Sequence, residues 1–416
     1  MLPTETSQPD NATKPAGTGG RIQGTCRDVN ATQRLVVECP AIAIVTVSSL
    51  MNRTTLLDLP SKSAKVAVND TDTATSDCQE NARHFRAWAF HEKGAQLEPF
   101  EYDAQLGPND LELKILANGL CHSDLSMRDN KWGITTYPLV PGHEVVGKVT
   151  GVGSAVKRIK EGDVVGYGWN TDCCGHCNKC TKGDDNLCVE GAQATIVGNH
   201  GGFGDYMIAP STLAIKIPES MSPADAAPLL CAGVTVWSPI SEHVQCGMKV
   251  GIVGLGGLGH LALQFAAAKG AEVYAISNNK GKEKEARGFG AKHFVSPDDL
   301  SKDLAGSLDV LISSAPEGQD YNALVGAVAP GGKFILLSGH LDKLDIPIAS
   351  LIMGQKSVHG SLVGGMRMMQ EMLQVAAMHN IKPLVEKMPM SKCNEALQRL
   401  IDGKARYRIV LTPDEQ

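Results

Sequence analysis

The chain has 416 residues, more than one domain usually takes, so two domains plus surplus sequence are the expectation. Its 43% hydrophobic and 20% charged residues are those of a globular protein, and a net charge of −6 offers no electrostatic footprint for nucleic acid or an anionic membrane surface. No run of about 18 apolar residues free of charge and proline occurs, which argues against a membrane-spanning helix.

Residues 1–83 are rich in Thr, Ser, Asn, Asp and Ala and carry little periodicity, so they read as a disordered N-terminal extension. Within them, Leu35–Met51 carries Glu38 and Pro40 and is rich in Val, Ile and Thr, which is strand-like or aggregation-prone rather than a membrane anchor. A targeting peptide is the sharper alternative, but Glu5 and Asp10 precede the first basic residue, whereas transit peptides are acid-poor. Sequons at Asn11, Asn30, Asn52 and Asn69 are of a kind common by chance in such composition. A cytoplasmic location is the expectation, with organellar targeting by the extension as the alternative.

From Arg86 short Val/Ile/Leu runs alternate with Gly, Pro and Asp turns, as at Leu111–Leu116 and Glu144–Val149. This suggests a compact all-β or barrel-like unit through about Pro210. After about Trp237 the rhythm becomes strand, Gly turn, helix. Val250–Val253 reads as a buried strand, His260–Lys269 as a helix and Glu272–Ser277 as a second strand. Leu308–Ser313 and Lys333–Ser338 follow, each after a plausible helix, which makes a βαβ series with a parallel sheet and an α/β class. The tail holds an amphipathic helix at Met369–His379 and a final strand at Tyr407–Leu411.

The hexapeptide Gly254-Leu255-Gly256-Gly257-Leu258-Gly259 lies between a predicted strand and a predicted helix. Glycines there allow a tight turn and close backbone approach, and the helix N-terminus offers free N–H groups to a pyrophosphate. The alternative is a Gly-rich turn with no ligand. At the end of the second strand an NAD site carries an Asp or Glu for the ribose 2′-hydroxyl. Here the stretch is Ser277-Asn278-Asn279-Lys280-Gly281-Lys282, without an acid. Ser277, Asn278 and Lys282 suit a 2′-phosphate, so NADP(H) is favoured over NAD(H), the alternative being a merely solvated lysine loop.

Of twelve cysteines, five lie between Cys173 and Cys188, the pattern of a metal site rather than a disulfide framework. Cys174, Cys177, Cys180 and Cys188 suit a closed tetrahedral zinc site that orders a loop, with an iron–sulfur cluster as runner-up and Cys173 as a spare. A second constellation is dispersed: Cys121-His122-Ser123-Asp124, Gly142-His143-Glu144 and Cys231. Individually each has an ordinary packing reading. Together Cys121, His143 and Cys231 would make a catalytic zinc set of three protein ligands with one position open, a set that sequence spacing alone does not assemble. Asp124 is the candidate to hold the ligand histidine's other ring nitrogen, and Glu144 is a spare or transient ligand.

These residues carry a family resemblance. Gly119–Leu125, Tyr137–Gly147, the four-cysteine loop, Leu230–Thr235, Gly254–His260, Gly360-Ser361 and Arg406-Tyr407-Arg408 resemble zinc-containing medium-chain alcohol dehydrogenases, most of all the cinnamyl alcohol dehydrogenase branch. The likeness runs from about residue 84 to the end. It implies a GroES-like β-rich catalytic domain (84–236 and 369–416) around a Rossmann doubly wound parallel-sheet domain (237–368). It also implies two zinc ions per subunit on the two sets above, and a homodimer joined through the cofactor domains. Thr235 matches a position near the nicotinamide. The hydroxyl matching Ser123 sits on the zinc-bound substrate oxygen and passes a proton, through the cofactor ribose, to a histidine. That histidine's place is taken here by Ser126, which puts the last relay step in doubt, with bulk water or another group as its substitute.

The resulting expectation is a zinc-dependent, NADP(H)-preferring enzyme that interconverts an aromatic or aliphatic aldehyde and its primary alcohol. Trp132 and Trp169 are candidate pocket walls, with ordinary packing as the alternative. The rivals are NAD-dependent oxidation of a polyol or amino alcohol and a non-catalytic relative. The second would be expected to have lost ligands that are all present here.

Overall fold

The computed structural model describes residues 82–339 and 343–414. The expectations placed on residues 1–81, including the extension's disorder, its sequons and the run at Leu35–Met51, lie outside the described residues.

The described chain opens with an antiparallel hairpin, β1 (Arg83–Phe90) and β2 (Leu97–Ala104). Then come β3 (Asp110–Gly119), α1 (His122–Arg128), β4 (Val145–Val152) and β5 (Val164–Tyr167). The short pair β6 (Asn170–Asp172) and β7 (Gln193–Ala194) precedes β8 (Tyr206–Pro210) and β9 (Ile215–Lys216). Helices α2 (Pro223–Pro228) and α3 (Val234–His243) lead to β10 (Lys249–Val253), α4 (Gly259–Ala268) and β11 (Glu272–Ile276). The alternation continues with α5 (Glu283–Gly288), β12 (His293–Val295), α6 (Leu300–Asp303), β13 (Leu308–Ser313), α7 (Tyr321–Ala327) and β14 (Val328–Leu336). It closes with α8 (Ile348–Ile352) and β15 (Ser357–Gly360), after which α9 (Met366–His379), β16 (Val385–Pro389), α10 (Cys393–Ile401) and β17 (Arg408–Thr412) form the tail.

Six strands form an all-parallel sheet in the order β12-β11-β10-β13-β14-β15. Numbered within that unit, the order is 3-2-1-4-5-6, the doubly wound dinucleotide-binding arrangement. The near-continuous apolar runs explain it: Val250, Ile252, Val310, Leu311 and Ile312 are all buried, as strands covered by helices on both faces must be. The strand order reverses between β10 and β13, so a crevice opens at their carboxyl ends.

The second large sheet runs β16-β17-β3-β4-β5-β9, with β8 also on β3. Its strands come from both ends of the chain, since β17 pairs antiparallel with β3 through Val410↔Gly119 and Leu411↔Asn118. The expected α/β class, a GroES-like β-rich unit beside a Rossmann sheet, is the observed architecture. One apolar cluster joins the two units: Ala117 and Val146 pack with Leu229, Leu230 and Trp237, and these with Val250, Ile252 and Met372. No helix among the described residues is long and apolar enough to cross a membrane.

Two elements begin three or more residues before their expected start, while the others named begin within about one residue of theirs. The strand expected at Lys333–Ser338 begins at Val328 and ends at Leu336. Its pairing with β13 jumps from Leu308↔Val328 to Val310↔Lys333, and the intervening Pro330-Gly331-Gly332 reads locally as a turn. Helix α9 begins at Met366, three residues before the expected start. The acceptor for the Met366 N–H is the Asp185 carboxylate at 2.7 Å, and a cap 181 residues away leaves no local signature.

Candidate active site and metal centres

Helix α1 is capped by a thiol. Cys121 Sγ accepts from the Ser123 N–H at 3.5 Å, and Asp124 Oδ2 accepts from the Cys121 N–H at 3.0 Å, a reciprocal capping box. The other oxygen of Asp124 accepts from the Gly142 N–H at 3.0 Å and faces His143 Nδ1 at 3.3 Å. One buried carboxylate therefore positions Cys121, at the start of α1, and His143, just before β4. Gly142 has φ +100°, and a Cβ there would stand 2.5 Å from the Phe203 ring, so the turn that delivers His143 requires glycine. Cys231 arrives from a π-helical turn, Leu229–Gly233, wedged between α2 and α3, the kind of local widening often found where a helix serves a site.

These elements gather the ligand atoms of Cys121, His143, Glu144 and Cys231, all within 4.8 Å of one another and all buried. His143 Nε2 and Glu144 Oε2 have no hydrogen-bond partner. An unpaired buried nitrogen costs free energy, and a cation bound by that nitrogen and the two flanking thiolates satisfies it. The donor set, two thiolates and one imidazole whose second nitrogen is held by a carboxylate, is one that zinc takes. Ser123 Oγ stands 3.6 Å from Cys121 Sγ, at the edge of the cluster. Glu144 is bound on its other oxygen by Arg408 of β17, and both side chains are buried. Burial pushes the Glu144 carboxyl up, against the pull of the Arg408 guanidinium.

Arg408 is the functional residue that sequence reasoning passed over as no more than part of a matching motif. A charged residue in an otherwise apolar terminal strand, Arg-Ile-Val-Leu, was the available signal. Its guanidinium also lies against the glycine loop, where a Cβ on Gly257 would meet Arg408 Nη1 at 2.9 Å.

Both candidate tryptophans stand at this centre. The Trp169 ring meets His143 edge-on, centroids 5.1 Å apart, and Trp132 meets Trp169 edge-on at 5.7 Å. Trp132 Nε1 donates to Gly339 O, just past the carboxyl end of β14, so the pair spans from the cluster to the ligand edge of the parallel sheet.

The four-cysteine loop closes on itself. Cys177 Sγ and Cys180 Sγ are 3.5 Å apart, and Cys174 Sγ and Cys180 Sγ are 3.8 Å apart. A zinc tetrahedron with bonds of about 2.3 Å has edges of about 3.8 Å, so the sulfurs already stand at the spacing zinc requires. Cys188 completes the set, and Cys173 is not part of it. The loop docks on the N-terminus of α9 through Asp185, and Asn186 Nδ2 donates to Leu362 O at 2.9 Å.

At the glycine loop, Gly254 turns the chain with φ +89°, and a Cβ on Gly259 would strike Gly254 O, while Gly256 faces open space. α4 begins at Gly259, with Leu258 half-buried before it, so the glycine loop joins the carboxyl end of β10 to a helix N-terminus. Thr235 is buried in the first turn of α3. Ser277, Asn278 and Asn279 follow β11, with Ser277 Oγ accepting from the Asn279 N–H, and Lys282 Nζ reaches back to Leu255 O at 2.7 Å. The two acids that follow are engaged elsewhere: Glu283 pairs with Arg287 and Glu285 with Arg406.

The comparisons with known proteins agree with this geometry. Residues 107–219 match the model of the alcohol dehydrogenase GroES-like domain, and residues 257–378 match that of zinc-binding dehydrogenases. An aldehyde reductase of Synechocystis is 42% identical over 332 residues, spanning 79% of this chain and 98% of the relative. A cinnamyl alcohol dehydrogenase of Sorghum bicolor superposes with TM-score 0.76 at 36% identity, over 80% of this chain and 100% of that one. The cinnamyl alcohol dehydrogenase of Helicobacter pylori complexed with NADP(H) gives TM-score 0.73 at 30% identity, over 80% and 98%.

Proposed function

Because the chain belongs to the zinc-dependent medium-chain alcohol dehydrogenases and is therefore an alcohol–carbonyl oxidoreductase, we propose that it reduces aldehydes with NADPH at a zinc held by Cys121, His143 and Cys231. The observation that carries the proposal is the buried cluster itself, with the unpaired His143 Nε2 among two thiols beside the glycine loop. Zinc in that position supplies Lewis acidity to a carbonyl oxygen, and the reduced nicotinamide is the hydride source.

The protein's own residues do the rest. Asp124 fixes the His143 ring so that Nε2 faces the metal position. Ser123 holds the proton destined for the substrate oxygen. Glu144, neutralised by Arg408, stands by as a further ligand. Trp132 and Trp169 wall the approach and exclude water, and their flat faces suit an aromatic or extended aliphatic aldehyde. Thr235 sits against the nicotinamide, and the loop Gly254–Gly259 takes the pyrophosphate.

NADP(H) preference is supported by the stretch Ser277–Asn279, which has no carboxylate, and by the ammonium of Lys282. We assign a second, structural zinc to Cys174, Cys177, Cys180 and Cys188 on their sulfur spacing. The domain division we propose, 84–236 with 369–416 around 237–368, follows the membership of the two sheets. A homodimer is proposed through the edge strand β15, beside which Ile348, Ile352 and Met353 are 72%, 67% and 87% exposed. A cytoplasmic location is in keeping with reduced thiolate sites.

The test is metal content together with oxidation of NADPH or NADH in the presence of cinnamaldehyde and aliphatic aldehydes, with and without a chelator. Chelator-sensitive turnover that favours NADPH supports the proposal. A protein holding both zincs that turns over no aldehyde with either cofactor refutes it.

A further inference from the structure

Lys282 ends the short turn after β11, where a four-carbon stem on a loop would ordinarily swing freely. Here it is held at two points. Its Nζ donates to Leu255 O inside the glycine loop at 2.7 Å and stands 5.3 Å from the ring centroid of Tyr407. That ring comes from the far end of the chain, just before β17, and is 4% exposed.

The ring is itself fixed on every side. His260 stacks on it at 5.0 Å with planes 12° apart, and Phe289 meets it edge-on at 5.6 Å. Its hydroxyl donates to Glu285, whose carboxylate also takes Arg406 through two bonds, at 2.7 and 3.3 Å. Arg406 is thereby neutralised by Glu285, although its guanidinium also lies 5.4 Å from the ring. Arg408, which also lies against the loop, is engaged by Glu144, whereas Lys282 holds the loop through a carbonyl oxygen and keeps its charge.

An ammonium has three donors. One is on Leu255 O and one faces the negative face of the Tyr407 ring, which leaves one for an anion at the end of β11. We infer that Tyr407 is a positioning residue for cofactor choice: its ring holds the Lys282 ammonium at the glycine loop, so that the remaining donor meets the 2′-phosphate of NADP(H). This inference rests on the NADP(H) reading above. It assigns to the C-terminal segment a part in discriminating between two cofactors that differ only at the adenosine end.

The experiment measures binding, without turnover, of 2′,5′-ADP and 5′-AMP to the zinc-loaded full chain by calorimetry. Wild type is compared with Lys282→Met, Tyr407→Phe and Tyr407→Met, each checked for a folded thermal transition. The methionine keeps volume without the π face, and the phenylalanine keeps the face without the hydroxyl.

Tyr407→Met is expected to weaken 2′,5′-ADP roughly tenfold while 5′-AMP changes by less than about twofold, and Tyr407→Phe is expected to keep the wild-type discrimination. Equal weakening of both nucleotides by Tyr407→Met makes the ring a structural support only and overturns the inference. So does loss of discrimination in Tyr407→Phe. If wild type and Lys282→Met both bind the two nucleotides alike, it is the NADP(H) reading that fails, and this inference with it.

Discussion

Arg408 and Glu144 lie 264 residues apart in sequence and form a buried ion pair between the last strand and the start of β4. Removing one partner of such a pair leaves an uncompensated charge in a dry site, which typically costs about 3–5 kcal/mol. Arg408→Met should therefore lower the chemical unfolding midpoint of the zinc-loaded protein, and Arg408→Met combined with Glu144→Gln should recover part of the loss. A single variant as stable as wild type would show that the Glu144 charge is compensated without Arg408, by a proton, the metal or water.

The four-cysteine loop packs its sulfurs around a common centre and has few apolar contacts of its own. Cys177→Ser should reduce bound zinc from about two ions to about one per chain and expose the loop to protease, while the remaining ion stays on the Cys121 set. Metal analysis with limited proteolysis reads both effects. Loss of both ions together would mean that the two sites fold as one unit.

His260 is held as a neutral ring. Its Nδ1–H donates to Gly256 O at 2.9 Å, and its Nε2 accepts from the Leu384 N–H at 3.2 Å, so an added proton would face a donor. Burial, with Arg408 adding to it, lowers its pKa from 6.5 to about 4, while the Gly256 carbonyl opposes. A base with a depressed folded pKa contributes stability that is complete above about 6.5 and is lost as pH falls toward 4, by up to about 3 kcal/mol. Unfolding midpoints across that window should fall less steeply for His260→Gln than for wild type. Parallel slopes would remove His260 from the account.

Ser126 stands where the resemblance places a proton-relaying histidine. The wild-type pH–rate profile should lack a histidine-like limb near neutrality, and Ser126→His should introduce one. Where proton transfer limits turnover, the variant should also be faster, toward the roughly 10²–10⁴-fold that general acid–base groups contribute. A neutral limb already present in wild type would reveal another relay group.

The parts legible in the sequence were those whose causes are local. Cys174–Cys188 closes a loop by short spacing, and Gly254–Gly259 turns a strand into a helix, so both were readable from neighbouring residues alone. The Cys121, His143 and Cys231 set required the family likeness, because only the folded sheets bring α1, β4 and a π-helical turn together. The early start of α9 and the role of Arg408 were not readable, since each depends on a partner more than 180 residues away. The strand at Val328 was hidden by Pro330-Gly331-Gly332, residues that signal a turn wherever they occur and that here form a bulge inside a ladder.

That the β-rich sheet is completed by β17 has a consequence for biogenesis. The parallel sheet has all six of its strands once Gly360 has been synthesised, and it can consolidate while the ribosome is still working. The other sheet waits for Val410 and Leu411 to dock on β3, and Glu144 waits for Arg408. The proposed metal site at Cys121, His143 and Cys231 accordingly gains its neighbour Arg408 only when β17 docks, so a lesion in Arg408–Thr412 would be felt at that site.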